Sequence, residues 1–417
     1  MNAPVNFDAR THAWSLPLDK LDVSDPQLFY DDVWQPYFER HRKDAPVNYI
    51  PDSPYGPYWS VAKYKDIVQV EVNHKVFSSS DEVGGIMIND APKGMESTSF
   101  IRMDPPDHDT QRREVSSTVN PITLAKMESL IRDRTNMVLD GLPRGETFNW
   151  VERVSIELTS MMLATLFDYP IDQKEQLIRW SDTFICDLNA PDAPVKTEDA
   201  RFAEQMRFTE HMNEIWEHRA KQPKSFDVIS ILAHGEATSK MTLRERMGIL
   251  ILFLVGGNDT TRNSMTGGML ALSRFPEELH KLRANPELVT SMVPEIVRWQ
   301  TPVLHMRRTA MADAEIGGKP VKAGDKVVLW YISGNRDEDV IEDPERFIID
   351  RRRPREHMSF GFGIHRCLGN RLAEMQLKIL WEEVLKKDLR IEVLDKPVYA
   401  YSNFLHAIRS LPVRISA

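Results

Sequence analysis

The side chain best placed to do chemistry is the thiol of Cys367. It lies in the run Ser359-Phe360-Gly361-Phe362-Gly363-Ile364-His365-Arg366-Cys367-Leu368-Gly369. After that run, Leu377, Leu380, Trp381, Val384 and Leu385 recur at the spacing of a helix packed on a core. The cysteine therefore stands near a helix N-terminus, where unpaired N–H groups and the dipole favour a thiolate. Glycines before it permit tight turns and let backbone amides approach the sulfur. A thiolate held in this way is a strong axial ligand for haem iron.

Three other readings compete. A lone cysteine is often a small buried hydrophobe. A zinc site built from His357, His365 and Cys367 has no CxxC or HExxH partner. A dinucleotide fingerprint fails because Gly361-x-Gly363-x-x ends on Arg366. The whole string from Phe360 to Gly369, FGxGxHxCxG, resembles the haem-thiolate loop of the cytochrome P-450 superfamily. The resemblance implies haem b held by Cys367 as its protein ligand to iron, with His365 a contact to a haem propionate.

Other runs extend the resemblance. In Asp104-Pro105-Pro106-Asp107-His108-Asp109-Thr110-Gln111-Arg112-Arg113, His108 and Arg112 are four apart and share a helix face. Such a pair can clamp a carboxylate, which in this family is a propionate. Arg308 in Thr301–Ala310 matches the family arginine for the same role, ahead of its neighbour Arg307. A capping box at Thr242 and Glu245 and a terminator at Pro276 bracket a helix of about 33 residues, or about 50 Å. Gly256 and Gly257 sit at its middle at a cost on the order of 1 kcal/mol each, which some gain must offset. One such gain is close approach of a bound group, with the threonine that follows bending or opening a turn. In the family this is the helix over the haem, and Asp259 and Thr260 would be its acid–alcohol pair for proton delivery during oxygen activation.

Glu295 and Arg298 form an ExxR pair on one helix face. The resemblance adds Arg346, from Pro344-Glu345-Arg346-Phe347, to make a buried structural triad behind the Cys367 loop. Substrate contacts implied by the resemblance are Ile86, Met87, Val255, Gly256, Val303, Leu304, Met306 and Leu405. The first two belong to an aperiodic segment, 78–103, whose apolar residues include Ile88, Met95 and Phe100. The arginine-rich stretch of Arg351, Arg352, Arg353, Arg366 and Arg371, with Lys378, would offer a basic face to an acidic ferredoxin.

The elements that must position these residues are mostly helical. Periodic patterns cover 122–140, 150–167, 172–188 and 199–221. Short strands are expected at 45–62, 315–332 and 390–415, so the fold class is mainly α with a minor β part. The resemblance implies one cytochrome P-450 domain over 1–417, with haem between the long helix and the helix after Cys367. The 417 residues are 41% hydrophobic and 28% charged, the composition of an enzyme with a large core. A net charge of −9 argues against nucleic acid as a partner. Two cysteines far apart make no disulfide framework, and a cytoplasmic setting fits. The opening run has no signal-peptide core, and the Ile249–Val255 aliphatic and aromatic stretch is too short to be a membrane anchor.

The function that follows is a monooxygenase placing one oxygen atom of O2 into an unactivated C–H bond of a hydrophobic small molecule. GGNDTTRNSMTGG (256–268), HMRRTAMAD (305–313) and the run 357–383 resemble bacterial P-450s that hydroxylate medium-chain alkanes and fatty acids at the terminal carbon. Their electrons come from a ferredoxin served by an NAD(P)H-dependent ferredoxin reductase. A hydroxylase of cyclic terpenes or aromatics would share every haem motif and differ in the pocket. A haem-binding sensor is the alternative from another class; it would not need the Asp259–Thr260 pair.

Overall fold

The computed structural model describes residues 8–90 and 98–416, so Met95 lies outside the described residues. The helix Leu243–Arg274 runs through the middle of the molecule. Thr242 accepts the Glu245 amide, and the Glu245 carboxylate takes the Thr242 amide at 2.8 Å, the reciprocal cap expected from the sequence. Its 32 residues span about 48 Å. From Asn258 to Leu272 every residue except Thr260 is buried, the pattern of a helix enclosed on all sides.

Glu157–Phe167, Lys174–Ile185 and Glu198–Arg219 pack on one flank of this helix. Val289–Gln300 and Asn370–Lys386 pack on the other. The first flank carries an apolar cluster with Phe167, Phe184, Phe208 and Trp216, the second one with Trp299, Phe347 and Trp381. The expected helical stretches appear with boundaries shifted by a few residues, and a π-helical turn, Val151–Ile156, leads into Glu157–Phe167. Among the described residues no helix is long and apolar enough to cross a membrane.

A five-stranded sheet stands beside the helices, in the order Val47–Ile50, Tyr58–Val61, Lys326–Trp330, His305–Ala310, Phe77–Ser78. Strands occur in all three expected regions. His305–Ala310, Thr147–Asn149 and Phe77–Ser78 are additional. The first carries two adjacent arginines, which break the plain alternation of apolar and polar residues that marks a strand. In the sheet, alternation sends Arg307 to one face, against Asp90, and Arg308 to the other, against Glu71. Register Met306↔Leu329 and Arg308↔Val327 fixes which side chains share a face.

Candidate active site

The Cys367 loop is wound by two glycines in the left-handed region, Gly361 at φ 66° and Gly363 at φ 64°. The Cys367 amide donates to the Phe360 carbonyl at 2.7 Å, closing the loop. The helix begins only at Asn370, and the amides of Gly369 and Asn370 point at the sulfur. Burial nonetheless pushes the Cys367 thiol up, outweighing those amides and the charges of Arg112 and Arg366. The expected pull toward the thiolate is therefore present, from the amides and the two arginines, and burial opposes it.

Gly363 also faces a backbone. A methyl there would lie 2.4 Å from the carbonyl oxygen of Glu71. Gly318 has a comparable φ of 76° with nothing within 4 Å. Gly318→Ala is thus expected to cost about 1 kcal/mol, the left-handed penalty alone. Gly363→Ala adds overpacking against main chain, for a total of about 2–4 kcal/mol. Urea unfolding of both variants checks this, and equal losses would show that the Glu71 contact yields freely.

Between this loop and the long helix lies about 1410 Å³ of non-atom space. That space is partly open to solvent, and the Cys367 loop and the long helix are its two facing walls. Cys367 opens onto one wall. Phe253, Gly256, Gly257, Thr260 and Ser264 form the facing stripe of the long helix. A methyl on Gly256 would meet nothing within 4 Å, so its missing side chain leaves free space where a cofactor can approach. The helix runs unbroken here. Thr260 donates its hydroxyl to the Gly256 carbonyl at 3.0 Å, so the expected opened turn is replaced by a closed one.

Asp259 turns away from the cavity. It is fully buried, accepting the Ser181 hydroxyl at 2.6 Å and pairing with Arg262, which also reaches Asp182 at 3.0 Å. Burial raises its carboxyl above the usual range, while Arg262 opposes that rise. The acid and the alcohol are adjacent in sequence but face different surroundings.

Arg112, Arg308 and His365 line one part of the cavity, and His108 packs against His365. The rings of His108 and His365 meet edge to face at 4.7 Å between centroids. His108 Nε2 and both ring nitrogens of His365 are buried without a partner. Burial, reinforced by Arg308, His108 and Arg112, pulls His365 down to about 2. Arg112 gives one N–H to the Arg366 carbonyl and lies over Phe100, and burial lowers its guanidinium. Orphaned nitrogens beside two arginines are a donor set for carboxylates, and with Cys367 across the cavity the residues fit a haem with two propionates.

Of the eight expected substrate contacts, Gly256, Val303 and Met306 line the cavity. Ile86, Met87, Val255, Leu304 and Leu405 do not. Leu304 is buried in the cluster with Trp330, and Val255 packs among the flanking helices. Ile86 offers its carbonyl to the Arg307 amide, and Leu405 bridges Val303 from behind. Leu252, Phe253 and Val119 take their place on the wall. For Phe253 the signal was available, since it lies three and seven residues before Gly256 and Thr260 on one helix face.

Behind the loop, Glu295 and Arg298 are fully buried and paired at 2.7 Å. The third member is Arg351, not Arg346. Arg351 reaches Glu295 at 3.1 Å, whereas the Arg346 side chain is 54% exposed and pairs with Glu277. Arg346 contributes its carbonyl, which accepts from Arg298 at 2.8 Å. The expected basic face is also thinned. Arg351 is buried inward, and Arg353, Arg355 and Lys378 are paired with Glu356, Glu374 and Glu382. Arg352, Arg366 and Arg371 remain exposed.

Comparison with known proteins gives matches along nearly the whole chain. The family model Cytochrome P450 matches residues 57–396. Linalool 8-monooxygenase of Pseudomonas putida is 36% identical, over 95% of this chain and 99% of that protein. Methyl-branched lipid omega-hydroxylase of Mycobacterium bovis is 30% identical, over 92% of this chain and 91% of that protein. Among solved structures, Cytochrome P450-153 from Novosphingobium aromaticivorans superposes with a TM-score of 0.88 at 43% identity, covering 95% of this chain and 99% of that one.

Proposed function

The chain belongs to the cytochrome P450 family and is a haem-thiolate monooxygenase, and from that premise we propose that it hydroxylates medium-chain alkanes or fatty acids at the terminal carbon. In this reading Cys367 ligates the iron and His108, Arg112, Arg308 and His365 hold the propionates. A ferredoxin with its NAD(P)H-dependent reductase supplies the electrons, and the exposed Arg352, Arg366 and Arg371 support such a partner. The two free cysteines support a cytoplasmic location.

The haem, when bound, would use O2, two electrons and two protons to put one oxygen atom into a C–H bond and release the other as water. The protein's part is confinement and proton handling. A primary C–H bond is stronger than its secondary neighbour, so the chain end must be held where only it can react. The observation that carries the substrate class is the apolar wall of Val119, Leu252, Phe253, Val303 and Met306 around the Thr260 face. The omega-hydroxylase relative supports terminal attack. A second reading, hydroxylation of a terpenoid, is favoured by the linalool 8-monooxygenase relative. Turnover with octane, octanoic acid, limonene and linalool under a ferredoxin system decides; absence of 1-octanol and of the omega-hydroxy acid would sink the terminal reading.

Thr260 presents a hydroxyl on the helix stripe facing Cys367, and Asp259 is the adjacent acid that must turn from Ser181 and Arg262 to serve it. Thr260→Ala removes that hydroxyl. Product formed per NADH consumed is expected to fall about tenfold, the worth of one hydrogen bond, with the electrons appearing as hydrogen peroxide. Unchanged coupling would take Thr260 out of the proton path.

A further inference from the structure

Glu71, in the last turn of Tyr64–Val72, is a carboxylate with a side chain only 1% exposed. Its Oε1 accepts from Arg308 Nη2 at 2.7 Å. Its Oε2 accepts the amide of Phe362, five residues before Cys367, at 3.1 Å. The Tyr331 hydroxyl stands alongside: a methyl on Gly361 would meet that hydroxyl and Glu71 Oε2 at 3.3 Å each. The carbonyl of Glu71 fills the space that a side chain on Gly363 would need. One residue thus touches both the arginine at the carboxylate-holding end of the cavity and the loop that carries the sulfur.

Burying a carboxylate and a guanidinium costs several kcal/mol for each, and mutual attraction repays this only when geometry is good and the remaining lone pairs are occupied. Here each oxygen has a donor, Arg308 on one and the Phe362 N–H on the other, and the Tyr331 hydroxyl adds a third. Arg308 spends one more donor on the Arg307 carbonyl at 2.7 Å. Its guanidinium is therefore fixed on two sides, with the Tyr331 hydroxyl a further partner, at the edge of the cavity it lines.

We propose that Glu71 is a positioning residue that locks Arg308 and the Phe362 amide into one unit, setting the separation between a carboxylate bound at Arg308 and the Cys367 sulfur. Glu71 does not itself line the cavity. The proposal rests on the roles given above to Cys367 and Arg308.

Glu71→Gln tests it, because glutamine keeps an acceptor for Phe362 and turns an amide toward Arg308. Haem transfer from the variant to apomyoglobin is expected to be at least about tenfold faster than from the wild type. Part of its reduced, CO-bound population should lose the red-shifted Soret band of thiolate ligation. The haem reduction potential should move positive, since one buried negative charge is gone. In an Arg308→Gln background the same change should add less than about threefold to haem loss, because its partner is absent. Should Glu71→Gln alone fail to accumulate, the double variant is expected to restore folded holoprotein. Wild-type haem retention and spectrum in Glu71→Gln, additive effects in the double variant, or failure of the double variant to rescue a lost fold would each overturn the proposal. A wild-type protein without the thiolate band would instead overturn the role of Cys367, whatever Glu71 does.

Discussion

Cys367→Ser is expected to remove monooxygenase turnover and the red-shifted Soret band of the reduced CO complex while leaving the polypeptide folded. The two halves of that expectation have separate physical origins. Changing a residue that merely hydrogen-bonds a metal ligand commonly costs 10- to 100-fold in affinity or activity, so replacing the ligand itself should exceed about 100-fold. Stability is another matter. Cys367 opens onto the cavity, and its backbone bond to Phe360 does not depend on the side chain. Serine should therefore change the unfolding free energy of the haem-free protein by less than about 0.5–1 kcal/mol. Cys186→Ser is the matched control. That thiol is buried, donates to the Thr183 carbonyl at 3.4 Å, and a hydroxyl can make the same bond. Retained turnover in Cys186→Ser, with loss in Cys367→Ser, assigns the thiolate to Cys367. Retained thiolate spectrum in Cys367→Ser would end the haem-thiolate reading of this loop.

What the sequence disclosed here were features written in contiguous residues. The cap at Thr242 and Glu245, the Gly256–Thr260 face and the glycine-wound Cys367 loop are each local, and each appears in the fold where expected. What stayed hidden depends on direction or on distance along the chain. Asp259 and Thr260 are neighbours in sequence, but successive helix positions differ by about 100°, so one meets Ser181 and the other the cavity. Glu71 is separated from Arg308 by 237 residues, and nothing in the Tyr64–Val72 stretch distinguishes it from a surface carboxylate. Leu304 and Met306 looked equivalent as apolar residues, yet one is drawn into the cluster with Trp330 and the other lines the cavity. The arginine run at 351–353 looked uniform too, and only its first member is turned inward.

That last difference carries the largest expected effect on stability. Arg298 gives two charge-assisted bonds to Glu295, at 2.7 and 2.8 Å, and further bonds to the carbonyls of Asn335, Pro344 and Arg346. Arg298→Ala leaves a buried carboxylate with only Arg351 and the Ile348 amide, and leaves those carbonyls short of a donor. Removing one partner of such a network costs about 3–5 kcal/mol. Arg346→Ala, by contrast, breaks only a half-exposed pair with Glu277 and keeps the carbonyl that Arg298 uses, so its cost should stay within about 0.5 kcal/mol. Arg351→Ala should fall between them, since Arg298 still balances Glu295. Urea unfolding of the three variants gives the order, and a loss in Arg346→Ala as large as in Arg298→Ala would restore Arg346 to the triad. The damage should also reach the active site by a traceable route. Arg298 holds the Asn335 carbonyl, and the Asn335 side chain in turn bonds the Ser359 hydroxyl at 2.7 Å and the Met358 amide at 2.8 Å, at the start of the loop that ends on Cys367. Faster haem loss is therefore expected in Arg298→Ala and not in Arg346→Ala, which separates support of the Cys367 loop from general stability.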